Sequence, residues 1–293
     1  MTAGALTLRH QIESARDLQS VVQTMKALAA SSIGQYEASV LALDDYVRTV
    51  SLGLSVSLRS AGEWPPPVAG SEAGERPLVA VVFGSDQGLA GQFNERIAAF
   101  AHRRLADRHA GPMSLWAVGE RVEGRLKDLG LVVAGRFDVP GGIQAVGPLV
   151  GRILLANEST LITNERTELR LFHNRPAAAD VFEPVHQRVL PFDREWLDSL
   201  IGQGWPTRQI PEVVGDPMDT LRALLREYLF VSLFRACAES LASENAARLT
   251  AMQRADRNIE ELLERLETRF HRQRQSGIDA ELFDLIASFE ALG

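Results

Sequence analysis

The chain has 293 residues, 45% of them hydrophobic, with a formal net charge of −7 and a pI near 5.5. That length buries a sizeable core in one or two domains, and the acidic balance gives no support to nucleic-acid binding, which needs a basic face. The single cysteine, Cys237, lies in an apolar stretch and excludes an internal disulfide, so it reads as a small buried hydrophobe.

The first segment, Leu6 to Arg59, reads as one very long helix. Val22, Met25, Ala29, Ser32, Tyr36, Val40, Leu43, Val47, Val50 and Leu54 follow at steps of three or four, and no proline occurs before Pro65. About 50 residues at ~1.5 Å each make a helix of roughly 75 Å, far longer than a typical globular helix. Residues 61–76, with Pro65-Pro66-Pro67 among Gly, Ser and Ala, read as a linker.

An α/β domain is expected over 77–211. Leu78 to Phe83 is a continuous apolar run, typical of a strand buried on both faces. Phe93 to Arg108 follows as a helix, Ser114 to Val118 as a strand, Glu120 to Leu129 as a helix and Leu131 to Ala134 as a strand. Val146 to Asn157 reads as a third helix, before strand candidates at Glu168 to Phe172 and His186 to Leu190. This alternation predicts an open, Rossmann-like sheet of parallel strands with helical crossovers.

After Trp205-Pro206, a last helix runs from Pro217 to Leu292. Leu221 to Phe234 is apolar nearly all round and is expected to pack on the α/β domain, being too short to span a bilayer. Leu249, Met252, Ala255, Ile259, Leu262, Leu266 and Phe270 repeat the seam of the first helix. The fold expected is therefore α/β, with an antiparallel coiled-coil shaft from 1–60 and 212–293. Met25 and Ala29 are expected beside the segment after Phe270. The other reading of these ends is two ordinary amphipathic helices covering a domain. From His271 to Gly277 the apolar pattern stops, and Arg272, Gln273, Arg274 and Gln275 crowd together as a solvated turn or a contact with another protein.

Candidate chemistry is sparse. Gly84-Ser85-Asp86-Gln87-Gly88-Leu89-Ala90-Gly91 joins a strand to a helix, where a phosphate can be cradled. Its spacing is not G-x-G-x-x-G, and no Lys-Ser/Thr follows, so the tight-turn reading is preferred. The six histidines are scattered and form no metal-ligand pair, and neither a nucleophile elbow nor a Cys–His pairing is present. Met1 to Arg9 lacks the pattern of a secretory leader. No cofactor, metal or catalytic constellation is expected.

Three segments taken together resemble the γ subunit of F-type ATP synthases, the central rotor stalk. Met25-Lys26-Ala27-Leu28-Ala29-Ala30-Ser31, preceded by Arg9, Ile12 and Ser14, looks like the family's N-terminal helix signature. Ser85-Asp86-Gln87-Gly88-Leu89-Ala90-Gly91-Gln92-Phe93-Asn94 is similar to its S-D-R-G-L-C-G-x-x-N. The most specific runs from Glu239 to Met252, with Arg274-Gln275, Ile278 and Glu281-Leu282 at the expected distance. The sequence departs from the family at Arg16, Asp17, Ser20 and Gln23, where lysines are usual, at Asp279 for threonine, and at Ala90 for cysteine. The chloroplast redox-switch insertion is absent. These departures point to a divergent branch, a second bacterial ATPase type.

The resemblance implies a non-catalytic coupling subunit. Its partners would be the α and β subunits, the ε subunit and a membrane c-ring, with membrane contact only through the complex. It would lie at the cytoplasmic face of a bacterial inner membrane, in the F1 sector. Partner contacts are expected at Met25, Lys26, Gly88, Gly91, Arg274, Gln275 and Asp279, with Met25 and Lys26 at the height of Arg274 and Gln275. The competing readings are a Rossmann-like nucleotide-binding enzyme with helical arms and a coiled-coil scaffold unrelated to ATPases.

Overall fold

The structure is a computed structural model. It describes residues 3–61, 76–106, 111–163, 167–177, 181–192, 198–200, 202, 205–209 and 211–290. The proline-rich linker expected over 61–76 lies almost entirely outside them. The elements in chain order are α1 (Ala3–Ala61), β1 (Leu78–Phe83), α2 (Phe93–Ala106), β2 (Met113–Val118), α3 (Glu120–Asp128) and β3 (Gly135–Phe137). A 3-10 turn (Ile143–Ala145) leads into α4 (Val146–Ala156), α5 (Glu158–Thr163), β4 (Glu168–Arg175), β5 (Glu183–Leu190) and α6 (Pro217–Glu290). The two terminal helices have 59 and 74 residues. Asp216 starts α6: its carboxylate accepts the Met218 N–H at 2.8 Å, and Pro217 takes the first helical position.

The chain divides into two compact units, Met1–Ala30 with Arg248–Gly293, and Ser31–Ala247. In the first unit, the start of α1 pairs antiparallel with the end of α6. Val22, Met252 and Ile259 are buried together, with Met25, Ala255 and Leu263 against them. Arg16 meets Glu267 at 2.7 Å and Lys26 meets Asp256 at 2.9 Å, so rising numbers on one helix face falling numbers on the other. Leu263, not Leu262, lies in this seam, and Leu262 is 42% exposed.

That register corrects one expectation. Met25 lies opposite Met252 and Ile259, and it is Gly4 that meets the side chain of Gln273. Met25 and Lys26 therefore lie roughly 27 Å along the helix from Arg274, at ~1.5 Å per residue. The apolar seams match at several offsets. The ion pairs, which the apolar pattern does not report, distinguish between them.

In the second unit, five strands form one sheet in the order β3-β2-β1-β4-β5. The run β3-β2-β1-β4 is parallel. β5 is antiparallel to β4, against the expectation of a wholly parallel sheet. Only residues 176–182 connect them, too few for a crossover, which needs a dozen or more.

Each residue of β1 is buried, because the sheet is covered on both faces. Leu78, Ala80 and Val82 face α2 and α3 through Ile97, Ala101, Val122 and Leu126. Val79, Val81 and Phe83 face the other way, onto Leu149, Val150 and Ile153 of α4 and Leu233, Ala236, Cys237 and Leu241 of α6. The apolar stretch around Phe234 thus packs on the sheet, as its composition requires. Toward the end of α1, Val50, Leu54 and Leu58 bury against Leu221.

β3 begins at Gly135, whereas the apolar run predicts a strand over Leu131 to Ala134. The chain through Leu131 completes the end of α3 instead. Gly130 adopts a φ of 81°, and the N–H groups of Gly130 and Leu131 donate to the carbonyls of Lys127 and Leu126. Pairing starts at Gly135, where a Cβ would meet the Trp116 ring at 2.5 Å.

Candidate partner-contact surfaces

The turn from β1 to α2 is held by three polar side chains of the Ser85–Asn94 segment. Asn94, buried at the start of α2, accepts the Ser85 N–H at 3.0 Å and donates to Ser85 Oγ at 2.8 Å. Ser85 Oγ donates to the Gln87 carbonyl at 2.8 Å. Asp86 reaches further: its carboxylate accepts the Glu120 N–H at 2.9 Å and the Val139 N–H at 2.8 Å. One acidic side chain thus starts α3 and ties the loop after β3 to the loop after β1. The anion at the N-terminus of α3 is the chain's own carboxylate.

Asp86→Ala should lower stability by about 1–2 kcal/mol, the cost of a lost helix cap and a second orphaned N–H. Amide hydrogen exchange should quicken at Glu120 and Val139 and stay unchanged at the seam residue Val22. Unchanged exchange at both amides would mean that Asp86 does not hold them.

Past Asp86 the loop exposes Gln87, Leu89 and Gly91, while Ala90 is buried. Gly91 has a φ of 60° with open space where a Cβ would project, and Gly88 is half-buried. Between them Leu89, 62% exposed, also has a positive φ, 64°. Left-handed backbone costs a non-glycine residue roughly 1–2 kcal/mol, so this loop holds an apolar side chain in water at a cost. Leu89 was not among the residues singled out in the sequence. The signal lay in its conformation.

The remaining candidates lie on the helices. Met25 is half-buried in the seam, and Lys26 is paired with Asp256, whose carboxyl that ammonium holds below its ordinary value. Arg274, Gln275 and Asp279 are exposed on α6, and among the described residues no ion pair joins Asp279 to Arg274. Since Gln273 already lies beside Gly4, α6 continues well past the start of α1. On that continuation Ile278, Leu282, Phe283 and Ile286 are 47–70% exposed. The expected candidates therefore fall into three separate places: the 88–91 loop, the seam at Met25 and Lys26, and the end of α6.

The sequence reading missed a polar network inside the second unit. Arg235 of α6 bonds Asp44 of α1 and Glu239 of α6, both at 2.9 Å, and Glu239 bonds His173 Nε2 of β4 at 2.8 Å. Burial pushes the Glu239 carboxyl up, but the hydrogen bonds from His173 and Arg235 outweigh it and hold it below the ordinary value. Glu239 begins the C-terminal motif, yet its partner His173 lies 66 residues away in sequence. Among the described residues no group of three His, Cys, Asp or Glu could hold a metal, and no helix is long and apolar enough to cross a membrane.

A family model described as ATP synthase matches residues 5–292. The chain is 28% identical to the ATP synthase gamma chain of Paracoccus denitrificans strain Pd 1222, over 97% of this chain and 98% of that one. It is 27% identical to the ATP synthase gamma chain of Moorella thermoacetica, with the same coverage. Among solved structures, it is similar to a chain of the rotor of the Euglena gracilis mitochondrial ATP synthase, with a TM-score of 0.60 and 17% identity, over 94% of this chain and 99% of that one. A chain of the Tetrahymena thermophila mitochondrial ATP synthase central stalk and c-ring gives 0.56 and 20%, over 80% and 99%. These two likenesses concern the fold, while the match from residue 5 to residue 292 concerns the sequence itself. The chain belongs to the ATP synthase gamma-chain family.

Proposed function

We propose that this chain couples ion flow through a membrane c-ring to conformational change at catalytic β subunits, and itself carries no active site. The observation that carries this reading is the end of α6. Ile278, Leu282, Phe283 and Ile286 are exposed on the last turns of α6. A helix end of this kind calls for cover by other proteins, and a surrounding ring of α and β subunits would supply it. In this reading residues 1–60 and 212–293 form the shaft, 61–76 a linker, and 77–211 the part that meets the c-ring and the ε subunit. The chain would sit peripherally, in the F1 sector at the cytoplasmic face of a bacterial inner membrane.

Two paired helices have no three-fold symmetry, so a shaft made of them contacts each of three β subunits differently. Rotation then changes the affinity of each site in turn, provided the shaft binds the β states with different free energies. Reversing a two-state population from 1:99 to 99:1 takes about 5.5 kcal/mol of differential binding. A solvated ion pair supplies at most about 1 kcal/mol. Coupling must therefore be spread over many contacts of the shaft.

Arg274→Ala combined with Gln275→Ala should consequently reduce ATP-driven ion pumping by roughly fivefold or less, not abolish it. Assembly should fall less than pumping. The measurement is pumping and hydrolysis in reconstituted vesicles, with subunit composition checked on the same sample. Unchanged pumping in fully assembled double mutants would make this stretch a solvated helix surface only. Failure of the wild-type chain to co-purify with α and β subunits would remove the coupling role altogether. The nucleotide-binding enzyme reading requires specific ATP or NAD binding by the isolated chain. Asp86 opposes that reading, because it puts a carboxylate in the very loop that would cradle the phosphate.

A further inference from the structure

Three polar residues of α6 stand one turn apart, at steps of four: Arg235, Glu239 and Ser243. Each bonds an element other than α6. Arg235 reaches Asp44 of α1 at 2.9 Å, and Glu239 reaches His173 of β4 at 2.8 Å. Ser243 Oγ donates at 3.1 Å to the carbonyl of Asn174, the next residue of β4. Asn174 in turn donates from Nδ2 to the Phe93 carbonyl at the start of α2, also at 3.1 Å. Ser243 and Asn174 are fully buried, and His173 is nearly so.

The apolar contacts around this stripe are of another kind. Ala236, Cys237 and Ala242 meet the sheet together with Leu233 and Leu241. Hydrophobic burial is non-directional, and small side chains interlock little with their neighbours. Such a surface resists separation far more than it resists turning. Hydrogen bonds differ, because they weaken steeply with distance and angle. The surface of a helix lies about 5 Å from its axis, so turning α6 by about 20° on its own axis shifts its side chains by roughly 2 Å. That carries the contacts at 2.8 and 3.1 Å past bonding distance.

We propose that Arg235, Glu239 and Ser243 form a torsional key, which holds α6 on α1 and β4 against turning about its axis and transmits torque between the sheet and α6. This rests on the coupling reading above, in which the chain rotates. Force applied to the sheet then reaches α6 through oriented bonds, and the apolar contact serves to keep the two together. The bond from Asn174 to Phe93 extends the same path to α2.

The test has two arms. In the first, the full-length chain carries Arg226→Cys on α6 and Arg103→Cys on α2, both at exposed positions. Nitroxide labels are attached there, while the native Cys237 is buried. Pulsed electron paramagnetic resonance reads the distribution of the label separation. Glu239→Ala with Ser243→Ala should broaden that distribution about twofold. Glu239→Gln, which keeps an acceptor for His173, should broaden it less. Leu126→Ala is the control: it opens a cavity on the other face of the sheet, away from the stripe, and should leave the width unchanged.

In the second arm, the unlabelled variants are assembled with α and β subunits on vesicles holding the membrane sector. ATP-driven ion pumping is followed against a rising opposing gradient. With the gradient collapsed, the double variant should hydrolyse ATP within about twofold of the wild-type rate, and it should stall at an opposing gradient at least about twofold smaller. Leu126→Ala should stall where the wild type does. If the double variant does not fold, Ser243→Ala alone is read in both arms, with smaller changes of the same sign. An unchanged width in the folded variants overturns the proposal. So does a broadened width with stalling at the wild-type gradient, because the stripe then carries no torque. If the wild-type chain supports no pumping at all, it is the coupling reading that has failed, and the label distances alone then decide whether the stripe holds α6.

Discussion

Gly119→Ala should destabilise the sheet unit by about 3–5 kcal/mol, through left-handed backbone strain added to overpacking. Gly119 joins β2 to α3 with a φ of 116°, and a Cβ there would lie 2.7–2.8 Å from the O, C and N atoms of Ser85. These are backbone atoms, and neither side can retreat cheaply. The Gly119 N–H donates to the Phe137 carbonyl at 2.9 Å, and the Ser85 carbonyl accepts the Arg121 N–H at 2.9 Å. Moving either chain breaks the pairing of β1, β2 and β3. Gly91→Ala is the matched control, because Gly91 also has a positive φ but open space around it. It should cost only roughly 1–2 kcal/mol, the strain alone. Urea denaturation of both variants in one background measures the difference. Equal losses would show that the close approach of Ser85 to Gly119 contributes nothing.

What the sequence discloses here follows from how local each signal is. The long helices are legible because periodicity without prolines is a local property. All ten residues named in the α1 seam are buried or half-buried. Their mutual register is not legible, since an apolar stripe fits its partner at several offsets, and Met25 lies about five turns of helix from the height of Arg274, where the sequence leads one to expect it. The strands buried on both faces are equally plain, as in Leu78 to Phe83. β3 is not, because Leu131 and Val133 are apolar in order to pack against the α2–α3 side, and Gly135, where pairing begins, carries no hydrophobic signal.

The candidate contacts divide in the same way. The Ser85–Asn94 segment stands out as a motif, but its spacing does not reveal that Ser85 and Asn94 close a turn while Asp86 starts a helix 34 residues later. Glu239 is legible as a motif residue and illegible as a member of a network, because His173 lies 66 residues away and Asp44 lies 191 residues from Arg235. Exposure is another quantity that pattern cannot supply. Leu282 and Ile286 resume an apolar rhythm that elsewhere on α6 means burial, and here both face solvent.

That network yields the second large effect expected. Glu239→Ala should cost about 2–3 kcal/mol, because it leaves the buried His173 without its acceptor and removes one of the two carboxylates on Arg235. The figure lies below that for a fully buried pair, since the Arg235 side chain is 40% exposed and water can replace part of the loss. Asp44→Ala, at the outer end of the chain with a side chain 51% exposed, should cost less than about 1 kcal/mol. The contribution of Glu239 also carries a pH signature. Its carboxyl is held below the ordinary 4.5 in the folded state, so the folded chain binds the proton less readily than the unfolded one. The stabilisation is therefore fully present above 4.5 and is lost as pH falls through the lower folded-state value. Denaturation of wild type and Glu239→Ala from about pH 7 down to about pH 3 should show their stabilities converging on the acid side. Glu239→Gln separates charge from packing: it keeps the side-chain volume and an acceptor for His173, so it should recover part of the loss at neutral pH and show no convergence of its own. A stability difference between wild type and Glu239→Ala that stays constant across the range would mean that Glu239 acts by filling space, and that its bonds to His173 and Arg235 add no net stability.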